Sequence, residues 1–189
     1  MEQVKTTDSD NFQERLSELK ATKKWSELVA FLEKECLLHE NDPFILTELS
    51  GAYIMIKEYQ KALTAAQKAY QLQSDDVLMI YNYGDSLTCL DRYEEAVVIF
   101  DNILKKSISR VAYGFPGEGM RWTMGVFNDA RFLKGICLRE MGDFIRARRY
   151  IKLHLTKRRP GVYSDFSKRQ VLKEYNKTLD LIEKSKKAT

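Results

Sequence analysis

The sequence predicts an all-α chain of antiparallel helical hairpins, and three observations predict it. Glu58-Tyr59-Gln60-Lys61-Ala62 lies over Arg92-Tyr93-Glu94-Glu95-Ala96 at an offset of 34 residues, and a repeat of that period is the mark of stacked helical units. Apolar residues around both copies recur at three- and four-residue intervals, the spacing of one helix face. The 189 residues include only 9 Gly and 3 Pro, so long helices with short turns are expected.

In chain order, residues 9–42 form a degenerate first hairpin, with Phe12, Leu16 and Leu19 on one stripe and Trp25, Leu28 and Leu32 on the next. Trp25 stands 34 residues before Tyr59, although Leu28 replaces the small residue found later in the pattern. Residues 43–76 carry Leu46, Leu49, Ala52, Tyr53 and Ile56, then Tyr59, Ala62, Leu63, Ala66, Ala69 and Leu72. Residues 77–110 repeat the plan with Ile80, Tyr83, Gly84, Leu87 and Leu90, then Tyr93, Ala96, Val97, Phe100, Ile103 and Leu104. A further copy at residues 128–161 holds Gly135, Leu138, Met141, Gly142, Asp143, Phe144 and Ala147. Ala147 follows Ala96 by 51 residues, which is one period plus 17. The extra residues fall at 108–127, where Gly114, Pro116, Gly117 and Gly119 among aromatics predict an irregular loop. From Ser164, read as an N-cap, residues 164–186 predict a last helix with Leu172, Tyr175, Leu179 and Ile182 on one face.

An aromatic three residues before a small Ala at a helix start, and the Gly142-Asp143-Phe144 turn, make this chain resemble the tetratricopeptide repeat (TPR) family. The resemblance covers nearly the whole chain outside the insertion and the two ends. It implies a right-handed superhelix of stacked hairpins, a TPR-like α-solenoid of one domain spanning residues 1–189, with the final helix capping the stack. It also implies binding of a protein or peptide partner in the concave face, which the first helix of each unit lines. Carried onto this chain, the groove positions are Thr47, Gly51 and Met55, then Tyr81, Asp85 and Thr88, then Phe132, Ile136 and Arg139. One branch of the family grips a chaperone's C-terminal carboxylate with Lys, Asn and Arg side chains. Asn82 matches one such position, but Gln13, Ser17, Leu78 and Leu133 occupy others and supply no charge-assisted donor.

Two further regions attract attention. The insertion presents Tyr113, Phe115 and Trp122, which either tuck across the groove or serve as anchors for a partner. Basic residues gather in the last hairpin and its exit, including Arg146, Arg148, Arg149, Lys152, Arg158 and Arg159. They form a solvated face, a site for an acidic protein surface, or a nucleic-acid contact, and the lack of interleaved aromatics argues against the last.

Catalysis has little support in the sequence, and no metal or cofactor is expected. His39 and His154 lie 115 residues apart without a ligand partner at fixed spacing. The insertion lacks the Lys-Ser/Thr ending of a phosphate-cradling loop. Glu94-Glu95 and Asp75-Asp76 sit at helix starts, where they complement the helix dipole. Cys36, Cys89 and Cys137 form an odd set without a CxxC pair, consistent with free thiols in a reducing cytoplasm. Residues 1–10 read as neither a signal nor a transit peptide, and no apolar run reaches membrane-spanning length. A net charge of +4 is uninformative by itself. The expected protein is a cytoplasmic adaptor, monomeric or weakly dimeric, with an immunity protein against a bacterial toxin and a secretion chaperone as alternatives.

Overall fold

The computed structural model describes residues 4–114 and 119–187. Among them are ten helices and no strand. Contacts divide the chain into two compact units, Met1–Gln73 and Ser74–Thr189.

The first unit contains α1 (Val4–Ala21), α2 (Trp25–Leu38), α3 (Pro43–Met55) and α4 (Tyr59–Leu72), each packed against the next along α1, α2 and α3, and α3 against α4. Asp42 caps α3 by accepting from the Phe44 and Ile45 amides, with Pro43 pre-set in the first turn. Leu16, Leu19, Leu28, Leu32, Leu49, Ala52 and Ala62 form the core, with Trp25 packed against them. Each fully buried leucine stabilises the unit by about 1.5–3 kcal/mol. Tyr53 donates its phenolic proton to Glu33, tying α3 to α2.

The second unit contains α5 (Val77–Cys89), α6 (Tyr93–Leu104), α7 (Ile108–Tyr113), α8 (Met120–Glu140), α9 (Phe144–Lys157) and α10 (Lys168–Lys187). Asp76 caps α5 as Asp42 caps α3, accepting from Leu78 and Met79. Helix α8 packs on α5, α6 and α9, and α10 lies along α9. Glycine admits close approach at two crossings, of α5 with α6 and of α8 with α9: a Cβ on Gly84 would stand 2.7 Å from the Phe100 ring, and one on Gly135 would stand 2.7 Å from Ile151. Lys134 is buried on α8 and pairs with Asp101 of α6, while donating to the Tyr150 hydroxyl at 3.1 Å.

Trp25, Tyr59, Tyr93 and Phe144 are the first residues of α2, α4, α6 and α9. Each follows the same turn. Lys23, Lys57, Asp91 and Gly142 adopt positive φ of 55°, 65°, 58° and 84°. The next amide reaches back to the preceding helix, from Lys24 to Leu19, Glu58 to Tyr53, Arg92 to Leu87 and Asp143 to Leu138, at 2.9–3.0 Å. This is the Schellman end, which satisfies orphan carbonyls at the cost of one left-handed residue. Ala62, Ala96 and Ala147 are fully buried one turn later, where the small side chain admits the neighbouring helix.

The structure corrects two expectations. Residues 108–127 are not one irregular loop: α7, capped by the Ser107 hydroxyl, fills 108–113, and α8 already begins at Met120. The reason is that Thr123 and Phe127 lie one turn apart and are buried with Ala130, continuing the apolar face of α8 toward its start. Ser164 does not cap the last helix. Ser167 does, accepting from the Gln170 amide at 3.2 Å while the Gln170 side chain accepts from the Ser167 amide at 2.8 Å, a reciprocal capping box. The buried stripe of α10 accordingly runs through Val171, Thr178 and Ile182, with Tyr175 and Leu179 half-buried and Leu172 at its edge.

Candidate interaction surfaces

The expected groove positions differ between the units. In the first, Thr47 is buried with its hydroxyl donating to the Pro43 carbonyl, Gly51 is half-buried and Met55 is half-exposed. In the second, Tyr81, Phe132 and Arg139 are buried, and Asp85, Thr88 and Ile136 are partly covered. Thr88 turns inward, bonding the Gly84 carbonyl at 2.9 Å and approaching Cys137 Sγ at 3.3 Å. Arg139 is committed to Glu140 at 2.7 Å and Glu174 at 2.6 Å, joining α8 to α10.

What covers this face is the chain itself. Residues 158–167 leave α9 and cross α8 before α10 begins. Gly125 makes room, since a Cβ there would lie 2.5 Å from the Tyr163 carbonyl oxygen. Asp129, one turn on, accepts from the Ser164 hydroxyl at 2.6 Å and the Asp165 amide at 2.8 Å. Tyr81 donates to Asp165 at 3.1 Å, and the Phe166 ring packs on Phe132 with centroids 4.6 Å apart. Arg158 donates to the Phe166 carbonyl at 2.8 Å. The segment is thus a strap held by both backbone and side chains. Sequence reasoning missed it because its anchors lie on different elements and share no period.

The buried polar set beneath the strap is not arranged for nucleophilic catalysis. His154 Nε2 lies 3.0 Å from Asp129 Oδ1, the same oxygen that accepts from Ser164. A catalytic relay needs the nucleophile on one ring nitrogen and the carboxylate on the other. Here both groups meet at Nε2, and Nδ1 is without a hydrogen-bond partner among the described residues. The charge arrangement has another effect: burial, then the nearby charges of Asp165 and Asp129, push the Asp85 carboxyl up to about 7. Burial also pushes the Cys89 thiol up to about 12 and Cys137 up to about 11, so neither is a ready thiolate. Cys36 is raised for the same first cause, and all three are free. Among the described residues, no group of three or more His, Cys, Asp and Glu side chains could hold a metal.

The basic residues divide by role. Arg158 holds the strap, and Arg159 donates to the Thr156 and Arg158 carbonyls at the end of α9. Arg146 pairs with Asp143 at 3.2 Å. Arg148, Arg149 and Lys152 are exposed and, among the described residues, have no ion-pair partner. With Ile145, Leu153, Thr156 and Tyr175 they line a groove of about 500 Å³ beside α10. On α9 the opposite face, Ala147, Ile151 and His154, is buried. Arg148 and Lys152 are four residues apart, a like-charge spacing that costs a helix about 0.2–0.5 kcal/mol.

At the insertion, Tyr113 is 71% exposed and Trp122 is half-buried. Phe115, the third expected anchor, lies outside the described residues.

Paired helices joined by a recurring turn define a TPR-like helical-repeat fold. No family profile matches the chain, and no curated protein sequence matches it. Solved structures do. The chain is similar to MamA 41-end from Desulfovibrio magneticus RS-1, with a TM-score of 0.58 and 16% identity over 78% of this chain and 74% of that one. A crystal structure of MamA gives 0.56 and 15%, covering 91% and 96%. A mutant of MamA gives 0.59 and 16%, covering 98% and 99%. At these identities the likeness establishes the TPR-like all-α fold.

Proposed function

We propose that the chain is a non-catalytic protein-binding module that takes a protein or peptide partner on the outward faces of its helical hairpins. The observation that carries this reading is the TPR-like architecture, in which side chains beyond those needed for hairpin packing remain exposed on ordered helices. Fold analogy supports the class of function and not the partner. The covering of Tyr81 and Phe132 by the strap favours surfaces other than that part of the expected groove. Met55, Tyr113 and the outer face of α9 are accessible. No described helix is long and apolar enough to cross a membrane. Three unpaired thiols suit a reducing cytoplasm. Immunity protein and secretion chaperone are versions of the same module that differ in partner; the second calls for an apolar groove, which the bases on α9 do not provide.

The test is affinity capture from native lysate after nuclease treatment, with the intact chain and a Tyr113→Ala/Trp122→Ala variant as baits. One stoichiometric protein is expected with the intact chain. Its loss in the variant would place the contact at the insertion, and its retention would direct attention to the helix faces. Recovery of nucleic acid alone from untreated lysate would overturn the reading.

A further inference from the structure

We propose that the groove between α9 and α10 docks an acidic protein segment that carries an apolar side chain between its carboxylates. The proposal rests on the protein-binding reading above and specifies the site and the partner's chemistry.

The bases are arranged as a surface rather than scattered. Helical periodicity places Arg148, Arg149 and Lys152 within one turn of each other on the exposed side of α9, and Arg146 adds a fourth positive group at the groove wall. None of the lining residues is acidic. A row of like charges disfavours the helix that carries it, and the opposite face of α9 supplies the packing without it. Charge that folding does not need is therefore available to a partner. Arginine favours carboxylates because its planar guanidinium offers paired donors to both oxygens.

The groove also has an apolar component. Ile145 is 60% exposed, and Leu153 and Tyr175 contribute half-buried surface beside it. An apolar floor bordered by cations matches a peptide that alternates carboxylates with a leucine-like side chain, where the apolar contact supplies burial and the charges set orientation and encounter. A nucleic-acid backbone would satisfy the charges and leave that floor uncovered.

The probe is a fluorescent synthetic peptide of repeated Glu-Glu-Leu triplets, titrated by anisotropy into the full chain. An all-Glu peptide of equal length and a short DNA duplex serve as comparisons. Saturable binding that weakens about tenfold from low to physiological ionic strength is expected. The Arg149→Glu/Lys152→Glu variant should lose at least about tenfold in affinity. The neutral Arg149→Gln/Lys152→Gln variant should lose less, and both should unfold at a temperature equal to or above that of the parent, since like-charge contacts are relieved. Unchanged affinity in the charge-reversed variant overturns the proposal, as does equal or tighter binding of the all-Glu peptide or the duplex. A lysate protein captured equally by parent and charge-reversed baits would overturn this site while leaving the module reading intact. Peptide binding that depends on Arg149 and Lys152 supports both the site and the protein-binding reading, whereas no peptide binding together with recovery of nucleic acid alone from untreated lysate overturns both.

Discussion

Tyr81 on α5 donates its hydroxyl proton to Asp165, 84 residues later, at 3.1 Å. The bond joins the strap to a helix whose exposed face it would otherwise leave open, and it explains why a position expected to receive a partner is internal. The same carboxylate accepts from Tyr163 at 2.7 Å, so Asp165 is held from both sides.

Gly125→Ala tests how firmly the strap is seated. The new methyl group would meet the Tyr163 carbonyl oxygen, a backbone atom that cannot rotate away. A loss of about 1–3 kcal/mol is expected in urea unfolding, with faster limited proteolysis at residues 157–163. Unchanged stability and unchanged cleavage would mean that the strap is not packed as described.

Asp85 makes stability depend on pH. Its carboxyl ordinarily titrates near 3.8 and is raised to about 7 in the fold, so folding takes up a proton between those values. Its contribution is fully favourable below about pH 4 and is lost as pH rises through 7. Asp85→Asn should therefore stabilise the chain by about 1–4 kcal/mol at pH 8 and by much less at pH 5, measured by unfolding at both. An equal effect at both pH values would contradict this.

Lys57 occupies a left-handed position that glycine fills without steric cost. Lys57→Gly is expected to raise stability by about 0.5–1 kcal/mol, read from the denaturation midpoint. The change retains the Glu58 amide bond to Tyr53, so a decrease would show that the left-handed turn is mis-assigned.

Ala96 is fully buried where α6 meets its neighbours. Ala96→Leu should overpack that crossing and cost about 1–3 kcal/mol in thermal or chemical unfolding. A neutral outcome would mean that the crossing has spare volume.

The hairpins were legible because each residue that marks them acts locally. Tyr59 and Tyr93 begin helices, Ala62 and Ala96 disappear into crossings, and Asp76 caps a helix, all within a few residues of the sequence signal. The insertion is less legible because Gly and Pro in residues 114–119 dominate a window in which Thr123, Phe127 and Ala130 already carry a helical face. The strap left almost no local trace: Gly125, Asp129 and Tyr81 acquire their meaning from a segment tens of residues away. Arg158 and Arg149 looked alike as members of one basic cluster, but Arg158 is bonded inside the unit and Arg149 faces outward. Composition distinguishes neither.

The turn before α2, α4, α6 and α9 also decides which residues the corners of the fold can accept. Its register is kept by main-chain amides and carbonyls, and Lys, Asp and Gly all serve at the left-handed position. The same corner is therefore written with three different residue types within one chain, because what it requires is a dihedral angle and a main-chain bond rather than a particular side chain. A substitution at such a corner is accordingly judged by whether its backbone can turn left-handed, and not by the chemistry of the side chain it brings.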